Sequence, residues 1–230
     1  MLSIVTINRN NEEGLQKTLD SLRTQSAQNF QWVFIDGASS DGSVQLGRTF
    51  ARSEDVVSSE SDTGIYNAMN KGIAKSKGEY LLFLNSGDIF ADADSVQTLI
   101  NALSGSDDLV LFGFSVRNKV RMPKPIWSCF WSLPTSHQAI VYRRSLLERY
   151  GFLESYRFAA DFEHFLRIMT QPLRVLSIQK LLVINEPYGS DQNLQVVLSE
   201  YRKALESNGY SRLVAALIYH FKRFYLGLVL

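Results

Sequence analysis

Short apolar runs alternate with amphipathic stretches over residues 1–90, and each run ends in a small, polar loop. Such alternation restricts the chain to an α/β fold, a doubly wound, mostly parallel sheet flanked by helices. Leu2 to Ile7 is the first strand, ended by Asn8-Arg-Asn-Asn11, with Glu12 and Glu13 suited to a helix's first turn. Leu15, Leu19 and Leu22 recur at i, i+4 and i+7, which predicts a helix over residues 12–25. Phe30 to Ile35 is the second strand, followed by the acidic Gly/Ser loop Asp36–Gly42 and a helix from Ser43. Val56 to Ser59 is a short third strand. Ile65, Met69 and Ile73 then share one helical face, and Gly78 is expected to close that helix. Tyr80 to Leu84 is uninterruptedly apolar, as a strand buried on both faces must be, and Asn85-Ser-Gly-Asp88 follows it. A helix over 95–103 and a strand over 109–114 extend the pattern.

The second half is less regular. Trp127, Phe130 and Trp131 crowd one segment, Leu133 to Tyr142 reads as a strand flanked by polar residues, and Arg143 to Tyr150 as a basic helix. A further helix opens at Ala159, Arg174 to Ile184 is strand-like, Gly189 to Asn193 is a loop, and two helices finish the chain. The net charge of +1 gives no pull towards nucleic acid, so none is expected as a partner. A single cysteine, Cys129, excludes an intrachain disulfide and a Cys-based metal cluster. With no basic leader and cleavage site, and no window of roughly 18 apolar residues, a cytoplasmic location is expected.

In open α/β sheets ligands sit beyond the carboxyl ends of the strands. Asp88, delivered there by the fourth strand, can hold a hard cation against a phosphate, or simply belong to a turn. Asp36 ends the second strand beside Thr6 and Asn8; it either reads a base or ribose by hydrogen bonds or caps its own loop. Neither a dinucleotide-binding Gly-x-Gly-x-x-Gly nor a P-loop is present, so a bound nucleotide is held by another scheme. Asp62, Asn67, Asn70 and Lys71 surround a helix start, where backbone N–H groups favour an anion. Asp161 and Glu163 lie at another helix start; Asp161 is either an N-cap or a general base. His137 and Gln138 are further candidates.

Four stretches then occur in order: Ser3–Asn10, Phe34–Gly42, Asp62-Thr-Gly-Ile-Tyr-Asn-Ala-Met-Asn-Lys-Gly72 and Phe83-Leu-Asn-Ser-Gly-Asp88. Together they resemble the family 2 inverting glycosyltransferases of the GT-A fold. Leu133-Pro-Thr-Ser-His-Gln-Ala139 and Ala160-Asp-Phe-Glu163 look like the branch that holds the colanic acid biosynthesis glycosyltransferases. The resemblance implies a GT-A domain over 1–192, with a nucleotide-sugar half over 1–115 and an acceptor half over 116–192, followed by a helical segment over 193–230. It implies a nucleotide-sugar donor, a UDP-sugar first, a glycan or lipid-linked acceptor in bacterial surface polysaccharide synthesis, and Mn²⁺ or Mg²⁺. Residue by residue, it places Thr6, Asn8, Asp36, Asp62, Asn70, Lys71 and Asn85 at the nucleotide sugar, Asp88 at the metal and Asp161 as base. His137, Gln138 and Glu163 fall on the acceptor side. Two departures stand out: Asn85 and Gly87 replace the usual first and third acids of the metal signature, and Ala160 stands where many relatives have Glu. A binding protein on a degenerate GT-A fold is the alternative that the thinned signature keeps open.

Leu213 to Leu230 is apolar but broken by His220, Lys222 and Arg223, with Tyr219, Phe221, Phe224 and Tyr225 among them. A basic, aromatic amphipathic helix can lie in a membrane interface. The same pattern serves a helix packed on the domain, so the segment is read both ways: peripheral contact with the inner face of the cell membrane, or packing.

Overall fold

The computed structural model describes residues 1–187 and 194–229, and the loop expected over 189–193, with the boundary drawn at 192/193, lies outside them. β1 (Leu2–Asn8) and β2 (Phe30–Asp36) are buried at every position. Their two faces bury different neighbours, because side chains alternate along a strand. Ile4, Trp32, Phe34 and Leu82 pack with Leu15, Leu19 and Leu22 of α1 (Glu12–Arg23), whereas Val5, Ile7, Ile35 and Phe83 pack with Met69 and Ile73 of α3 (Ile65–Lys75). Asn11 caps α1, its Oδ1 accepting the Gly14 N–H at 3.0 Å.

The sheet runs β3-β2-β1-β4-β8-β6-β9-β5. β3 (Val56–Ser59), β2, β1 and β4 (Tyr80–Phe83) are mutually parallel, with α2 (Ser43–Phe50) leading into β3. The order turns back at β1, with β2 on one side and β4 on the other, which opens a crevice beyond their carboxyl ends. The register aligns Asn8 with Asp36 and Asp36 with Ser59 at that edge. β5 (Ile89–Phe90), α4 (Ser95–Ala102), β6 (Leu109–Val116) and β7 (Lys119–Arg121) follow. β8 (Ile140–Arg143) inserts antiparallel between β4 and β6, and β9 (Val175–Ile184) runs parallel to β6. α5 (Arg144–Tyr150) and α6 (Ala160–Ile168) cover the α3 face; α7 (Leu194–Ser207) and α8 (Arg212–Val229) close the chain.

Two local expectations need correcting. Gly78 does not cap α3, whose C-cap is Ser76. A Cβ at residue 78 would meet the Ser3 backbone nitrogen at 2.5 Å, so the glycine lets β1 pass close by. The strand expected over 133–142 begins only at Ile140, and His137–Ala139 is a 3₁₀ turn that swings His137 and Gln138 out of the sheet.

Candidate active site

α6 carries Asp161 in its first turn. Asp161 is not the N-cap, which is Ala159, and Glu200 of α7 holds the turn before the helix by accepting the N–H groups of Arg157, Phe158 and Ala159 at 2.7, 2.8 and 2.9 Å. Asp161 lines the crevice. Its Oδ1 accepts the Tyr66 hydroxyl at 3.0 Å and the Phe162 N–H at 2.8 Å, and its Oδ2 lies 3.5 Å from His137 Nδ1. Burial, then the Asp161 charge, hold the Tyr66 phenol well above its usual value, so it remains a donor. His137 Nε2 lies 3.2 Å from Asn85 Nδ2. An amide donating to Nε2 assigns the ring hydrogen to Nδ1, facing Asp161. Asn85, His137, Asp161 and Tyr66 thus form one line of polar contacts from the β4 loop to α6.

Asp88 sits behind that line and is buried. Its Oδ1 accepts the Glu186 N–H at 2.9 Å and its Oδ2 accepts Gln138 Nε2 at 3.0 Å. Burial pushes its carboxyl up to about 6, against the pull of those donors. Gln138 Oε1 accepts Asn185 Nδ2 at 3.1 Å, and Asn185 Nδ2 also meets Ser136 Oγ at 2.6 Å. Asp88 therefore ties the end of β9 to the β4 loop.

The nucleotide-side candidates divide. Burial pushes the Asp36 carboxyl up, but donors from Ser39, Asn8 and Ser59 outweigh it and hold the group below its usual range. Asn8 Nδ2 reaches Asp36 at 3.0 Å, and the Asn8 Oδ1 is buried without a partner. Thr6 is not brought to the crevice: its hydroxyl accepts the Trp32 indole N–H at 3.0 Å on the α1 face of the sheet. Asp62 accepts the Gly64 N–H at 3.0 Å, and a Cβ on Gly37 would run into its carboxylate. Asn70 is bonded to the backbone of Phe152 at 2.9 and 3.0 Å and to Glu154 at 3.0 Å, while Lys71 holds the Ser61 carbonyl at 2.8 Å. Both brace the loops that flank α3. Glu163 does not face the crevice either; it is buried and paired with Arg167 at 2.9 Å.

Two adjoining clefts share Ile65, Tyr66 and Phe158. One, of about 610 Å³, is lined by Arg9, Asp62, Asn67 and Glu154; the other, of about 320 Å³, by Asn85, His137, Gln138, Asp161, Asn185 and Glu186. Among the described residues no three His, Cys, Asp or Glu side chains converge on a metal position. The second cleft nonetheless fits a hard cation by donor chemistry. The Asn85 and Asn185 amide oxygens are buried there without a donor. Mg²⁺ and Mn²⁺ take oxygen ligands, with one or two carboxylates and the rest from phosphates and water.

Tyr66, Glu154, Asn185 and Glu186 escaped the sequence reading as site residues. Tyr66 lay inside a quoted motif; Glu154, Asn185 and Glu186 sit in loops whose approach to the cleft is set by β9 and by the turn after α5, with no local signal. Known proteins resemble this chain in sequence and in fold. The profile of glycosyl transferase family 2 matches residues 3–165. A glycosyltransferase of PGL/p-HBAD biosynthesis from Mycobacterium bovis is 28% identical over 220 residues, 89% of this chain and 84% of the relative. An uncharacterized glycosyltransferase of Mycobacterium tuberculosis is 32% identical over 187 residues, covering 76% of this chain and 71% of its own. Staphylococcus aureus TarS, solved in complex with UDP-GlcNAc, has a TM-score of 0.67 at 17% identity over 95% of this chain and 70% of that one. A Pyrobaculum calidifontis mannosyltransferase, in complex with GDP-Man and Mn²⁺, has a TM-score of 0.71 at 17% identity, over 95% of this chain and 69% of its own. The last two share the GT-A fold.

Proposed function

The chain belongs to glycosyl transferase family 2, and from that premise we propose that it transfers a sugar, with inversion, from a nucleoside diphosphate sugar to a glycan or lipid-linked acceptor. The observation that carries the reading is Asp161, oriented by Tyr66, His137 and the Phe162 N–H at the wall of a cleft. A carboxylate so placed takes the proton of the acceptor hydroxyl as that oxygen bonds to the anomeric carbon. The bond from that carbon to the diphosphate breaks on the opposite face, and the diphosphate leaves with the electron pair. In this reading residues 1–115 serve the nucleotide sugar, through Asp36, Asn8 and Asp62, and residues 116–192 the acceptor. Asn85 and Asn185, which line that cleft and whose amide oxygens are buried without a donor, would hold a divalent cation. Such an ion supplies neutralisation of the charge that grows on the departing diphosphate. UDP is our first choice of nucleotide, since a fold neighbour is solved with UDP-GlcNAc, and a second neighbour makes GDP the competitor. The branch that makes colanic acid remains our reading of the Leu133–Ala139 and Ala160–Glu163 stretches.

The test is Asp161→Asn. Transfer should fall by about 10²–10⁴-fold, the usual worth of a general base, while donor affinity stays within about threefold. Intact transfer would remove Asp161 from the mechanism, and donor binding without turnover in the unaltered protein would favour the degenerate binding protein.

A further inference from the structure

We infer that Glu186, at the end of β9, supplies the cation-binding carboxylate that residue 87 lacks. The inference rests on the glycosyltransferase reading and names the residue that meets the cation of the donor's diphosphate. Gly87 adopts φ +101°, and a Cβ built on it collides with the Glu186 carboxylate. The space a side chain at residue 87 would fill is therefore taken by a carboxylate that arrives from another strand. The backbone that carries it is held from behind, because Asp88 accepts the Glu186 N–H at 2.9 Å. Asp88 is itself buried, and its other oxygen accepts Gln138 Nε2 at 3.0 Å.

A second, independent observation points to the ligand. Gln138 must present its NH₂ to Asp88, so its oxygen faces Asn185, and Asn185 must answer with its own NH₂. That network fixes the Asn185 oxygen as the buried atom left without a donor. The Asn85 oxygen is in the same condition, and both residues line the cleft that Glu186 borders. Buried oxygens without donors are costly unless something electropositive completes them. With the exposed Glu186 of the same cleft they make an oxygen-only set, the chemistry of Mg²⁺ or Mn²⁺ carried on a diphosphate.

The experiment is calorimetric titration of UDP and of GDP, each with Mn²⁺ and with chelator, into the full chain and into Glu186→Gln and Glu186→Asp. Mn²⁺ should tighten binding of one nucleotide to the unaltered protein. Glu186→Gln should lose about tenfold or more of that gain, a difference of about 1.4 kcal/mol. It should keep its affinity in chelator, and Glu186→Asp should recover part of the gain. Bound Mn²⁺ followed by electron paramagnetic resonance gives a second readout, free of turnover. A full metal gain in Glu186→Gln overturns the assignment. Nucleotide binding without any metal gain in the unaltered protein overturns it while leaving the transferase reading intact. No binding of either nucleotide to the unaltered protein overturns that reading itself, and the assignment with it.

Discussion

His164 lies three residues from Asp161 on α6 yet takes no part in the crevice. It packs against Phe152 and Tyr142, with ring centroids at 4.8 and 5.7 Å, and neither ring nitrogen has a partner. Burial, then the Arg167 charge, push it from 6.5 down to about 3, so the folded protein keeps it neutral. The unfolded chain takes up that proton near pH 6.5, and the folded one only near pH 3. Stability is therefore lost as pH falls through this window, by about 2–3 kcal/mol between pH 6.5 and 4.5. His164→Leu removes both the bare nitrogens and the titration. Denaturant melts at pH 7 and pH 4.5 should show the variant losing less than the parent, and equal losses would refute the account. At this scale the sequence marks residues by motif, as with Asp161 and Asp88. It does not say whether a carboxylate lines a cleft, as Asp161 does, or is buried among its donors, as Asp88 and Asp36 are.

Among the elements, α8 packs on the domain by one face and leaves the other exposed. Ala215, Ile218 and Lys222 turn inward. Lys222 Nζ sits 4.0 Å from the centroid of the Tyr201 ring, 5.1 Å from that of Trp131 and 5.7 Å from that of Phe162. Burial pushes its ammonium down to about 7, while three ring faces favour the charged form by cation–π attraction. Leu213, Leu217, Phe221 and Phe224, spaced i, i+4, i+8 and i+11, form an exposed apolar stripe. No helix among the described residues is long and apolar enough to cross a membrane. We propose that this stripe lies in a membrane interface, as a basic amphipathic helix with an apolar face can. Leu217→Ser combined with Phe224→Ser should cut binding to anionic liposomes by about tenfold or more, since each buried side chain is worth about 1.5–3 kcal/mol. The melting temperature should hold. Undiminished sedimentation with the vesicles would show that the stripe does not face lipid.

On the scale of the whole molecule, the C-terminal helices help to build the crevice. Glu200 of α7 holds the turn that introduces Asp161, and Tyr201 stacks on Phe162 with ring centroids 4.1 Å apart. Calorimetry of the full chain should accordingly show one cooperative transition; a separate transition for residues 194–230 would show an independent unit. The sequence alone determined the α/β class, the elements of the first half, the glycosyltransferase resemblance and the choice of Asp161 as the candidate base, because these depend on periodicity and on motifs contiguous in the chain. Tertiary structure alone decided that β8 runs antiparallel between β4 and β6, that Thr6 and Glu163 turn away, and that Tyr66, Asn185 and Glu186 join the crevice. The reason is distance along the chain. Gly87 and Glu186 are nearly a hundred residues apart, and a carboxylate that occupies another residue's space leaves no local trace beyond a glycine.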